Sequence, residues 1–421
     1  MNDGRLNIAV IGSGISGLVS AHRLARHHNV TLYEADERVG GHTHTVMVNA
    51  DDGRHAVDTG FIVFNPENYP LFTRLLDELG VASRVSEMSF SVRDDASGIE
   101  WCGCGSLNRI FGQRRNVMRP AFHRMLVDIA RFGRDARVLL RDSGDRRSIG
   151  EFLRTGKYST AFSEHYLMPL GAALWSCPEG DFTAFPVRFV AEFLDNHHML
   201  DPLGNRPAWR TVTGGSQRYV DALLKRFNGT LRTGAPVRTV QRSLAQVRIV
   251  TVDGKAHGYD EVVIACHADQ ALRLLEQPTA AERKTLAAFP YTANEAVLHT
   301  DVRVLPHSRR TWGAWNVRRH ADGTRNVAIT YNMNILQGLE TKDTWCVTLN
   351  DTASIAKERI VRKINYRHPR FTLARDEAQA RHRDLIRNNR TSFCGAYWGF
   401  GFHEDGVRSA HAVIDAFGMR A

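Results

Sequence analysis

No uninterrupted apolar run of roughly eighteen residues occurs in the chain, so nothing in it predicts a helix crossing a bilayer. Residues 1–5 lead straight into an apolar stretch, which leaves no room for a secretory signal segment. Internal repeats and low-complexity linkers are missing as well. Cysteine is sparse and unpatterned: Cys102, Cys104, Cys177, Cys266, Cys346 and Cys394 share no repeated spacing, which suits a reducing cytosol better than a disulfide framework. Cys102 and Cys104 flank one glycine without a second sulfur pair, so no metal site is expected. A cytoplasmic protein is the expectation.

With 43% hydrophobic and 24% charged residues, the chain reads as globular, and 421 residues suit two interleaved domains. The formal net charge is +10, unevenly placed: residues 109–147 hold eleven Arg against four Asp. Such a run suits a solvated helical face, or attraction to an anionic membrane surface and a peripheral location. Phe122, Met125, Leu126, Ile129, Phe132 and Leu139 recur in it at near-helical spacing, which serves core packing as well as membrane contact. No nucleic-acid reading motif accompanies the charge, so no nucleic-acid partner is expected.

The pattern at 6–33 predicts strand, helix, strand, with strands at 6–11 and 30–33 and a helix over 15–27. Residues 261–265 form a short apolar run fitting a buried parallel strand, and Val247, Ile249 and Val252 lie in another strand-like stretch. Near the C-terminus, 392–395 reads as a strand end and about 406–417 as a helix. Between these pieces, residues 91–209 look mostly helical. Residues 286–384 look strand-rich around Ala296-Val297-Leu298 and Val327-Ala328-Ile329. The expected fold class is α/β: a Rossmann-like dinucleotide-binding domain in three pieces (1–90, 210–285, 385–421) with an α+β substrate domain (91–209, 286–384).

Gly12-Ser13-Gly14-Ile15-Ser16-Gly17 matches G-x-G-x-x-G directly after a strand and at the start of a helix. Gly12 permits the tight turn, Gly14 lets the backbone approach a pyrophosphate, and Gly17 lets helix pack on strand. The helix N-terminus, with Ser16 in its first turn, offers N–H groups and a positive dipole end to phosphates. Glu34 follows 22 residues after Gly12, where an acid accepts ribose hydroxyls and disfavours a 2′-phosphate.

Glu34-Ala35-Asp36-Glu37-Arg38-Val39-Gly40-Gly41 then resembles the E-x-x-x-R-x-G-G extension of the flavin-containing amine oxidase superfamily. That superfamily includes protoporphyrinogen oxidases, phytoene-desaturase-like enzymes and UDP-galactopyranose mutases. The resemblance implies non-covalent FAD and an amine-oxidase-like architecture. It implies cofactor contacts from Glu34, Ala35, Arg38 (as a diphosphate partner), Gly40, Gly41 and His42. Asp58-Thr59-Gly60-Phe61-Ile62 resembles the segment passing the isoalloxazine ring, implying contacts from Gly60, Phe61 and Ile62. Val237 sits where the superfamily's backbone meets the adenine. Phe393-Cys394-Gly395-Ala396-Tyr397-Trp398 and His403-Glu404-Asp405-Gly406-Val407 resemble the last flavin motif, implying contacts from Gly395, Glu404 and Val407. There a helix N-terminus faces the flavin N1–C2=O edge.

Gly41-His42-Thr43-His44-Thr45-Val46, Asp58 to Asn65, Met88-Ser89-Phe90-Ser91-Val92 and Trp209 to Ser216 look like the flavin domain of plant cyclopropane-fatty-acyl synthases. They also look like bacterial flavoproteins encoded beside lipid methyltransferases. This implies an apolar, acyl-chain substrate and a lipid methyltransferase as partner. Hydride would pass from a substrate C–H to flavin N5, in a desaturase or dehydrogenase reaction. Oxidation of an amine or small molecule, a non-catalytic accessory role beside the methyltransferase, and a mutase-like isomerisation stay open. His403, Glu404 and Tyr397 are the leading catalytic candidates, with His42, His44, His267 and Trp398 near the expected ring. The lysine that holds a flavin-linked water in many amine oxidases has no counterpart. Phe162, Leu167, Leu174, Trp175, Phe185 and Phe189 suit a domain core or an apolar tunnel.

Overall fold

The computed structural model describes residues 4–419 apart from 51–52, 104–105, 143, 176–178, 202–206, 322–326, 371 and 373. Cys104 and Cys177 lie outside the described residues. A five-stranded sheet runs in the order Thr230–Arg232, Asn29–Tyr33, Asn7–Ile11, Glu261–Ile264, Thr391–Phe393, and every pair is parallel. Both faces of this sheet are covered, which is why its central strands read as unbroken apolar runs. On one face pack the helices Ile15–Leu24, Pro70–Leu79, Gln217–Lys225 and His403–Ala416. The other face carries the meander Val237–Arg242, Val247–Thr251, Ala256–Tyr259 and the helix Ala268–Leu274.

Two features depart from the sequence reading. The edge strand Thr230–Arg232 has half-open surroundings and no apolar alternation to betray it. The last helix begins at His403 rather than near Gly406. The Asp405 carboxylate accepts hydrogen bonds from Phe400 N (3.0 Å) and Phe402 N (3.1 Å), fixing the helix start one turn earlier.

A seven-stranded sheet joins both inserted segments, in the order Ile360–Pro369, Tyr291–His299, Cys346–Leu349, Val327–Asn332, Trp315–Arg319, Phe90–Asp94, Ile99–Cys102. All its pairings are antiparallel except that of Phe90–Asp94 with Trp315–Arg319. The first insertion therefore opens with two strands before becoming helical, through Pro120–Arg141, Ile149–Thr155, Met168–Trp175 and Val187–Asn196. Phe162, Leu167, Trp175, Phe185 and Phe189 are buried in one core with Phe122, Met125, Phe132 and Leu139, and Leu174 packs against it. The apolar stripe of Pro120–Arg141 is thus a core face, not a membrane face. Among the described residues no helix is long and apolar enough to cross a membrane.

Asp58 ties the pieces together. Its buried carboxylate accepts from Ser216 N (2.9 Å), Ser216 Oγ (2.8 Å), Thr45 Oγ1 (2.5 Å) and Gln337 Nε2 (3.1 Å). Ser216 precedes the helix Gln217–Lys225, while Gln337 belongs to the second insertion. Burial pushes the Asp58 carboxyl up to about 6, against the pull of these donors. Asp58→Ala would leave four donors without an acceptor. Urea unfolding of the FAD-loaded protein should show a loss of about 3 kcal/mol. An unchanged midpoint would show that the knot is dispensable.

Candidate functional site

The glycine turn closes against the strand that ends at Ile264. Gly12 has φ +101°, donates to Tyr33 O (2.8 Å), and a Cβ there would lie 3.0 Å from Ala265 O. A Cβ on Gly17 would collide with the Gly12 carbonyl, so this residue sets how closely helix packs on turn. Gly14 differs: a Cβ there would meet nothing within 4 Å, leaving an open approach to the helix N-terminus. The last helix arrives at the same place. A Cβ on Gly406 would lie 2.7 Å from Ile15 Cγ2 and 3.0 Å from the hydroxyl of buried Ser16. Two helix N-termini, each with unused first-turn N–H groups, thus converge beside the opening at Gly14.

Glu34 lies at the end of its strand and accepts from Ser13 N (2.9 Å), Ser13 Oγ and Asp36 N (3.0 Å). Ala35 is exposed beside it. Gly234 N donates to Asp36 O (3.0 Å) and Ala235 N to Glu34 O (2.9 Å). This places half-buried Val237 along the same edge. Gly40 N donates to Ser13 Oγ (3.2 Å), and Gly41 seats on Gly14. Arg38 has a role the motif did not show. Its guanidinium donates to Thr43 O and Gly41 O, both at 2.7 Å, and so pins the loop that carries His42.

On the ring side, Phe61 N donates to His42 O and Thr59 N to His44 O, both at 2.9 Å. Gly60 leaves no room for a side chain against His42 O. Ile62 is buried in the core below. Two catalytic candidates are occupied structurally. Glu404 accepts from Leu71 N (3.2 Å) and Phe72 N (3.0 Å), capping the helix Pro70–Leu79, and burial raises its pKa. His403 stacks on Phe61 with ring centroids 3.6 Å apart. Its Nε2 meets Tyr219 OH at 3.0 Å and Thr43 Oγ1 at 3.1 Å, while burial lowers its pKa to about 3. Both residues fasten the last helix in place; neither presents a free base. Tyr397 is buried with its hydroxyl unpartnered, and burial raises its pKa. Gly395 lies against the Tyr397 ring and donates to Ser409 Oγ (2.9 Å). Val407 is a turn into the helix with its side chain in the core, so it contributes packing.

At the carboxyl end of the parallel sheet the chain gathers a group of imidazoles. His42 lies 5.1 Å from Tyr366, 5.1 Å from His368 and 5.8 Å from His267, between ring centroids. His44 Nδ1 meets Tyr366 OH (3.2 Å), which also meets Thr59 Oγ1 (2.9 Å). Asn294 Nδ2 donates to His368 Nδ1 (2.9 Å), and His267 stacks on Tyr291 at 4.3 Å. Burial holds all four imidazoles neutral, with pKa values of about 4 for His42 and His44 and about 3 for His267 and His368. The positive potential of nearby arginines or of one another lowers them further. His42 Nε2 and His267 Nδ1 are buried without a hydrogen-bond partner. Trp398 stacks on His382, one layer away. Tyr366, His368, Asn294, Tyr291 and Tyr219 were invisible as site residues in the sequence. Only the i, i+2 spacing of Tyr366 and His368 on one strand hinted at a shared face. Among the described residues no lysine is buried and no group of His, Cys, Asp and Glu could hold a metal. A separate polar cavity of about 390 Å³ lies at the edge strand Ile99–Cys102, lined by Arg93, Asp94, Asp95, Glu100, Gln113 and His307, among others.

Gly14's open face, the paired helix N-termini, the acid Glu34 and the orphaned imidazole nitrogens together fit a flavin dinucleotide, and the class is that of a two-domain flavoprotein. Residues 15–337 match the flavin containing amine oxidoreductase family, and the chain belongs to it. Its cofactor is FAD. A protein named as a flavin-containing monoamine oxidase in Mycobacterium tuberculosis is 26% identical over 297 residues, covering 67% of this chain and 62% of that protein. The L-tryptophan oxidase of Lentzea aerocolonigenes is 25% identical over 288 residues, covering 61% and 56%. The chain thus spans about three fifths of the length of these curated relatives. Among solved structures, a fatty acid isomerase that produces conjugated linoleic acid, from P. acnes, superposes with a TM-score of 0.69 at 15% identity, covering 98% of this chain and 99% of that one. Cyclohexylamine oxidase from Brevibacterium oxydans gives 0.67 at 14%, covering 99% and 100%. These likenesses are of fold.

Two substitutions separate cofactor space from packing. Gly14→Val should leave a folded protein, by circular dichroism, without flavin absorbance; Gly17→Val should lose the fold as well. A yellow Gly14→Val protein would place the pyrophosphate elsewhere.

The imidazoles also set an acid limit. Their folded pKa values lie below the usual 6.5, so the unfolded chain takes up protons first as pH falls. Their stabilisation is therefore full above pH 6.5 and is lost as pH drops toward their folded values of about 3 to 4. The urea midpoint should fall over that window, and His368→Gln should make the fall shallower. An equal slope in the variant would show that His368 is not held neutral.

Proposed function

We propose that the protein is an FAD-dependent oxidoreductase acting on an apolar, acyl-chain substrate, as a desaturase or dehydrogenase. FAD, when bound, would supply the acceptor for a hydride from one substrate carbon, and the proton lost from the neighbouring carbon would leave through the unpartnered imidazole nitrogens of His42 and His267. The observation that carries the substrate class is the character of the surroundings. Helix Val187–Asn196 sets Phe189 5.4 Å from Phe400 and Phe193 5.1 Å from Phe402, between centroids, so an aromatic layer abuts the start of the last helix. Arg375 stacks over Phe189 at 4.2 Å and Phe400 at 5.7 Å. That guanidinium meets Asp376 Oδ1 at 3.3 Å and donates to Gln379 Oε1 at 2.9 Å, so a carboxylate or phosphate head would share it with these partners. The nearby acids Glu404 and Asp405 are committed to helix caps, and the imidazoles are neutral. The sequence resemblance to flavin domains of cyclopropane-fatty-acyl synthases points the same way, as does the shared fold with a fatty acid isomerase.

The chain's own residues then position and desolvate. Phe61, Phe400 and Phe402 exclude water, and Tyr397, packed on Phe289 and Trp398, carries a buried hydroxyl without a protein partner. Amine or amino-acid oxidation is the second reading, favoured by the names of the relatives. Anaerobic mixing of the FAD-loaded protein with phospholipids bearing unsaturated or methylated chains should bleach the flavin band and lower the lipid mass by two hydrogens. Bleaching by primary amines or amino acids, with no change in the lipids, would overturn the acyl reading in favour of the second.

A further inference from the structure

The basic segment leaves a face that the core does not use. Helix Pro120–Arg141 buries Phe122, Met125, Phe132 and Leu139, which turns Arg124, Val127, Arg134, Arg137, Val138 and Arg141 outward. These positions recur at i, i+3, i+4 and i+7, so they form one stripe along the helix. Val127 is 61% exposed and Val138 65% exposed. The side chains of Arg134, Arg137 and Arg141 make no hydrogen bond or ion pair with the described residues. The acids of this helix do not offset them: Asp128 is buried and holds Arg124, Arg131 and Ser159 N, while Asp135 is bound to Tyr158.

The apolar character continues past the helix start. Met118 is 83% exposed and Leu107 74% exposed. His123 ties this end together, meeting Val117 O at 2.8 Å and the Phe111 ring at 5.9 Å. Arg114 links it to Leu107–Ile110 through Asn108 Oδ1 at 2.5 Å.

We propose that this face docks on an anionic phospholipid bilayer, with the arginines at phosphate level and Met118, Leu107, Val127 and Val138 entering the headgroup region. Charge complementarity selects the occupant. Unpaired guanidiniums alternating with exposed aliphatic side chains match an anionic interface that has an apolar layer directly beneath. An acidic protein or nucleic acid would satisfy the arginines and leave the aliphatic side chains in water. The docking is independent of the substrate that the flavin site takes.

Co-sedimentation of the FAD-loaded protein with phosphatidylcholine vesicles, with and without phosphatidylglycerol, tests it. Partition should require phosphatidylglycerol and weaken with salt. Combining Arg134→Glu, Arg137→Glu and Arg141→Glu should lower the partition coefficient about 100-fold. Combining Met118→Ser, Val127→Ser and Val138→Ser should remove the fraction that survives high salt. Flavin absorbance and circular dichroism report that each variant is folded. Equal partition of the wild type and the charge-reversed protein would overturn the proposal. So would binding to a DNA duplex with no partition onto vesicles.

Discussion

The first turn of the last helix lies on the first turn of the glycine-turn helix, with Gly406 against Ile15 and Ser16. Almost everything that makes this chain a flavoprotein depends on that contact. It brings together two sets of unpaired backbone N–H groups from opposite ends of the chain, next to the open face of Gly14. Any side chain at position 406 would push the two dipole ends apart. The contact is supported from behind by His403, held by Phe61, Tyr219 and Thr43, and by Glu404, which caps a third helix. Residues that look catalytic in the motif therefore act as fasteners.

The surroundings of the ring are shaped by desolvation. Burial lowers the affinity of His42, His267, His368 and His403 for protons far enough that they are neutral at physiological pH. Aromatic rings from the helical insertion pack on Phe400 and Phe402 at the start of the last helix, and Arg375 lies over them. The chemistry is left to the cofactor, with the protein supplying placement and exclusion of water.

Much of the framework was legible from local signals. Apolar runs bounded by glycine mark parallel strands, and the G-x-G-x-x-G turn with Glu34 marks the dinucleotide edge, because these depend on backbone sterics at fixed spacing. The helical stripe in the basic segment was also correctly periodic, but periodicity does not say what an apolar face meets. In the structure Phe122, Met125 and Phe132 meet the insertion's own core. The start of the last helix was misplaced because Asp405 caps it through Phe400 and Phe402, a local signal hidden by the downstream glycine.

By itself the sequence determined that a dinucleotide docks at a strand–turn–helix unit, that its flavin identity follows from the Arg38–Gly41 extension, and that 109–147 is strongly basic. Those features are contiguous, and their physics is local. The tertiary structure decided what the long-range contacts do. Tyr366 and His368 reach His42 across more than three hundred residues of sequence, and Asp58 reaches Ser216 and Gln337. It also decided that Arg38 and Glu404 bind backbone groups, and that Arg134, Arg137 and Arg141 of one helix face outward without partners among the described residues. Each of these is set by burial and by which strands happen to be neighbours, and neither quantity is written in the spacing of residues along the chain.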